Sequence, residues 1–152
     1  MKLEEGQIYE GDVSLSGELG PHRVWIVVAP FGRTHLHSID DPLDLHCLTL
    51  DAAHRSVANG TLQLIDTNPG HPVLALQREK ERRGIHDTHL GLSGKTLHAM
   101  SQLLNDAVES GESYAPYAAG EILAQANPEL CDPMELEGMR GSIASAFAPL
   151  SA

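Results

Sequence analysis

The chain has 152 residues, 41% of them hydrophobic, which suffices for one domain with a packed core. Its 10 basic and 21 acidic residues give a net charge of −11, which repels a phosphate backbone and argues against nucleic-acid binding. The longest apolar run, Val24 to Ala29, is far too short to span a membrane, and Met1-Lys2-Leu3-Glu4-Glu5 has no apolar signal region, so a cytoplasmic protein is expected.

Up to about residue 77 the pattern has period two or consists of short apolar runs, the signature of strands. Gln7 to Leu15 alternates, with Tyr9, Val13 and Leu15 on one side. Arg23 to Ala29 is nearly continuous, as in a central strand covered on both faces. Thr34 to Ile39 alternates, Leu43 to Leu50 is Leu-rich, and Thr61 to Thr67 alternates again. Gly20-Pro21, Asp41-Pro42, Asn59-Gly60 and Asn68-Pro69-Gly70 separate these runs. Ala52 to Ala58 reads as a short helical turn within the sheet.

After residue 93 the period becomes helical. Leu97, Met100, Leu103, Leu104, Ala107 and Val108 share one helix face, with Ser93 as a cap and Gly111 as a stop. A second helix is predicted over Pro116 to Ala126. A third begins at Asp132-Pro133, with Glu135 placed as in a capping box, and Leu136, Met139, Ile143 and Phe147 form its apolar stripe. The fold class is therefore α+β in a single domain, 1–152. An N-terminal antiparallel β-sheet or small barrel spans 5–78, a connector 79–93, and about three C-terminal helices over 94–148 pack back on the sheet.

Charge follows the same division. Residues 1–76 carry a net −6, residues 77–95 a net +2, and residues 96–152 a net −7. The one basic island, Arg78-Glu79-Lys80-Glu81-Arg82-Arg83, reads as a solvated connector. Cys47 and Cys131 are distant from each other and read as two reduced, buried thiols rather than a disulfide.

All nine histidines fall between His22 and His98. Two pairs are spaced to act together. His35 and His37 share a strand face, so both imidazoles reach one side of a sheet. His86 and His89 lie in a stretch flanked by Gly84 and Gly91, a loop, with Asp87 able to orient one ring. If the fold brings the pairs together, the four histidines would hold a divalent transition metal such as zinc, and a metal-dependent hydrolase follows. The run His35-Leu36-His37-Ser38-Ile39-Asp40-Asp41 departs from the His-x-His-x-Asp-His ligand run of metallo-β-lactamases. Gly91-Leu92-Ser93-Gly94-Lys95-Thr96 is half of a phosphate-binding P-loop, with His89 where the first glycine is needed. No Gly-x-Ser-x-Gly elbow is present, and His46 and Cys47 point to opposite faces of a strand, which argues against a dyad.

Gly6-Gln7-Ile8-Tyr9, Asp12 and Arg23-Val24-Trp25-Ile26-Val27-Val28 resemble the opening of the MazF/PemK-type small β-barrel ribonuclease toxins over roughly the first third of the chain. The resemblance implies a small barrel, with Arg23 and Thr49 in RNA cleavage. Val24 stands where that family has proline.

With no complete catalytic or cofactor-binding constellation, the reading these residues favour is a small acidic binding or regulatory protein. It acts through contacts with another protein, a basic one by charge, and self-association into a homo-oligomer is compatible with it. The metal-dependent hydrolase and the MazF-like ribonuclease are its rivals.

Overall fold

A computed structural model describes residues 3–11, 24–43, 45–85, 94–126 and 132–147. Five strands form one sheet: β1 (Gln7–Glu10), β2 (Val24–Val28), β3 (His35–Ser38), β4 (Cys47–Leu48) and β5 (Gln63–Thr67). Five helices accompany them: α1 (Leu50–Ala58), α2 (Pro72–Arg82), α3 (Gly94–Ser110), α4 (Ala115–Gln125) and α5 (Pro133–Phe147). The strand order is β4-β3-β2-β1-β5, and every neighbouring pair is antiparallel.

The sheet is open, not a barrel. β4 is only two residues long, because Thr49 turns the chain directly into α1 by accepting a hydrogen bond from the Ala52 N–H at 3.2 Å. Among the described residues β4 and β5 are the two edges of the sheet. Cys47 lies exposed on the β4 edge, not in the interior as its Leu-rich surroundings suggest. Cys131 is outside the described residues.

β2 runs through the centre and explains its own composition. Trp25 and Val27 face one side, Ile26 and Val28 the other, and all four are buried. On the first side Tyr9, Leu36, Leu48 and Leu62 close around Ala52 and Ala53 of α1. On the second, Ile8, Ile26 and Val28 meet Val73 and Leu74 of α2, with Tyr117 of α4 alongside. A further core lies among the helices, where Met100 and Leu103 of α3, Ala119 and Ile122 of α4, and Ile143 and Phe147 of α5 come together. Helices thus cover both faces of the sheet.

Helix α2 corrects the expectation of a sheet to residue 78 followed by a connector over 79–93. Val73, Leu76, Gln77 and Lys80 recur at helical spacing and are all buried, but two of the four are polar, which hides the stripe in a hydrophobicity reading. The local signals agree with a helix. His71 Nδ1 accepts from the Val73 N–H at 3.1 Å, and Pro72 occupies the first turn. Gly84 (φ 71°) ends α2 with Ile85 N–H bonded to Lys80 O at 2.9 Å, and Gly111 (φ 68°) ends α3 in the same way through Glu112 N–H and Ala107 O, also at 2.9 Å. Among the described residues there are five α-helices rather than three, because α1 lies within the stretch assigned to the sheet and α2 runs from that stretch into the assigned connector. No described helix is long and apolar enough to cross a membrane.

The start of α5 follows the sequence closely. Asp132 Oδ1 accepts from the Met134 N–H at 2.8 Å, with Pro133 in the first position. Glu135 does not complete the reciprocal box; its carboxylate pairs with His98 of α3 at 3.1 Å.

Candidate functional site

The histidine pair of β3 faces the second side of the sheet, opposite Val28 and Ile26. His35 is half-buried at the strand start. His37 is buried beneath α2 and α4, and there meets three polar side chains that the sequence does not mark as a site. Glu121 of α4 lies at the centre. Lys80 Nζ of α2 is 2.8 Å from its Oε2, Gln77 Nε2 donates to its Oε1 at 3.1 Å, and His37 Nε2 stands 3.7 Å from Oε1. The other ring nitrogen of His37 lies 2.7 Å from the Ser38 carbonyl oxygen, so Nδ1 carries the proton. Nε2 at 3.7 Å is too far for a hydrogen bond to Glu121. It has an ion-pair separation when the ring is protonated.

The Lys80, Glu121 and His37 side chains are each 1–3% exposed. Burial pushes the Glu121 carboxyl up, and Lys80, with His37 behind it, more than offsets this and holds it well below the usual carboxylate range. Such a closed cluster offers a substrate no approach. Its position between β3, α2 and α4 makes it a clamp that ties the helical layer to the sheet. Tyr117 sits beside it, edge-on to His71 at 5.6 Å and to His37 at 6.5 Å between ring centres. Burial, then the neighbouring His37, pushes the His71 pKa down.

The proposed four-histidine metal site is therefore half visible. His35 and His37 are on one face, while His86 and His89 lie outside the described residues. Among the described residues no group of three or more His, Cys, Asp or Glu is placed to hold one metal ion. The P-loop-like run and the cap assigned to Ser93 also begin outside those residues, as does Arg23 of the ribonuclease-like stretch. Thr49, its proposed partner, serves as the cap of α1.

The basic island is a helix segment whose cations are all paired, with Arg78 and Arg82 still exposed. Arg78 pairs with Glu5 and Glu81, Arg82 with Glu79, and Arg83 with Glu79 at 2.7 Å and with Asp106 of α3 at 2.8 Å. Lys80 is the buried partner of Glu121. These pairs join α2 to the turn before β1, to α3 and to α4.

An accessible cleft lies elsewhere among the described residues. It runs between α3 and α5 and has a volume of about 590 Å³. Leu104, Ile122, Ile143 and Phe147, each 7% exposed or less, line it from the core, and half-buried Met139 with exposed Val108 and Ala146 present apolar surface to it. Asp106, Glu109 and Glu135 are its charged lining residues, and all three are acidic. The cleft forms because α5 is held by few side chains: Leu136, Ile143 and Phe147 are its buried residues, and most of the rest are exposed. The apolar periodicity of both helices was legible in the sequence. The gap between them was not, because it depends on the angle and separation at which they pack.

No family model, curated protein or solved structure matches the chain.

Proposed function

We propose that the chain is a small acidic, non-catalytic binding or regulatory protein that engages a basic segment of another protein. The observation that carries this reading is the α3–α5 cleft, where apolar lining and acidic groups coincide on an accessible surface. Net charge points the same way: the chain carries −11 in all and −7 over residues 96–152. Opposite charge steers encounter and selects among partners, while burial of apolar side chains supplies affinity.

The hydrolase and ribonuclease readings have less support. His37 is turned into a closed cluster, and Thr49 is occupied in capping a helix. The test is titration of the intact protein with a Lys/Arg-rich peptide and with an acidic peptide of equal length, followed by backbone amide shifts. Saturable binding of the basic peptide alone, weakened by added salt, is the expected result. Binding that ignores charge and salt would overturn the reading.

A further inference from the structure

We infer that the α3–α5 cleft receives an amphipathic helix whose apolar stripe is flanked by Lys or Arg; this rests on, and sharpens, the binding reading above. The walls are two helices with no sheet edge between them, so the site offers a partner side-chain surface rather than a strand's backbone hydrogen bonds. That is the helix-in-groove mode, in which side chains at i, i+3, i+4 and i+7 insert between the walls. The dimensions suit this occupant. Lining residues run from Ser101 to Glu109 on α3 and from Glu135 to Phe147 on α5, about 12 and 18 Å at 1.5 Å per residue, or two to three turns.

Chemistry selects the flanks. Asp106 is shared with Arg83, and Glu135 with His98, both at the margin of the cleft. Glu109 is exposed on the same α3 surface, one residue from exposed Val108. A cation entering beside Val108 meets Glu109 while its neighbours bury apolar atoms on half-buried Met139 and exposed Ala146. An acidic helix would meet carboxylates on both walls. A second copy of this chain, itself at −11, is disfavoured for the same reason.

The experiment uses the full chain and four synthetic peptides of about 14 residues. One is a Leu-striped helix with Lys and Arg flanks. The second has the same composition scrambled to destroy the stripe. The third is the striped helix with neutral flanks, and the fourth is basic without apolar residues. The striped basic peptide is expected to bind saturably, shift amides of α3 and α5, and become helical on binding. Glu109→Lys and Val108→Asn, both at exposed positions, are expected to weaken it by about tenfold and about threefold.

Several results would overturn the inference. Equal binding by the scrambled peptide, or by the basic peptide without apolar residues, with shifts scattered over the surface, removes the helix and leaves the broader acidic-surface reading standing. Equal binding by the neutral striped peptide removes the charge selection. A concentration-dependent dimer abolished by Val108→Asn assigns the cleft to a second copy. Binding by none of the peptides sinks the cleft and the broader reading together.

Discussion

Glu121 shows what a single buried charge can organise. It sits in an apolar helix stretch, Ala118-Ala119-Gly120-Glu121-Ile122, and is answered by Lys80, Gln77 and His37 from two other elements. Removing one member of a buried ion pair leaves the other uncompensated, which costs about 3–5 kcal/mol. Glu121→Gln is therefore expected to lower the stability measured by urea unfolding by about that amount. Adding Lys80→Met should restore much of the loss, because no charge is then stranded; additive losses in the double variant would show that the pair is not coupled. Acid should act in two stages. His71 has a folded-state pKa below its unfolded value, so its contribution is complete above about pH 6.5 and is lost as pH falls through the folded value, when protonation removes the Nδ1 acceptor that caps α2. Glu121 and Glu79 are likewise lowered, the latter to about 2 by hydrogen bonding to Arg82 and then Arg83 against burial, so their contributions persist above about pH 4.3 and fade toward pH 2. In unfolding curves collected against pH, His71→Asn should keep a cap and abolish the first stage. A first stage that survives the substitution would place its origin elsewhere.

At the scale of elements, the position of α4 depends on a glycine. A Cβ at Gly120 would stand 1.7 Å from the Pro42 carbonyl oxygen, so only glycine lets α4 approach the loop between β3 and β4. Gly120→Ala is expected to destabilise by about 1–3 kcal/mol despite the better helix propensity of alanine, because backbone must shift. Gly138 in α5 has open space where a Cβ would go. Gly138→Ala should gain about 0.5–1 kcal/mol, the ordinary preference for alanine in a helix interior. Thermal melts of the two variants moving in the same direction would contradict this account. The second helix expected over Pro116 to Ala126 is observed as α4, whereas α2 escapes the sequence reading. The cap and stop of α2 are local signals, but polar Gln77 and Lys80 on its buried face break the apolar periodicity that a sequence reading relies on.

The whole molecule is a sheet with helices on both faces, extended by a helical core that ends in the loosely held α5. Amide exchange should reflect this layering. Amides of β2, buried on both faces, are expected to exchange slowest, and those of α5 faster than those of α3 and α4, since few buried side chains hold α5. Protection of α5 equal to that of α4 would show that the cleft is a rigid surface instead. Binding of the striped basic peptide should slow exchange in α5 first, because the occupant supplies the missing apolar contacts.

The sequence alone determined the α+β class, the central strand, the apolar stripes of α3 and α5 and the cap at Asp132, because each is written in residues a few positions apart. Only the tertiary structure decided that the sheet stays open, that His37 lies against Glu121 and Lys80, and that α3 and α5 part to leave a cleft. Those features join residues as distant as Gln77 and Glu121, 44 positions apart. Local periodicity carries the direction in which each side chain points, but not which charge from another element it will meet.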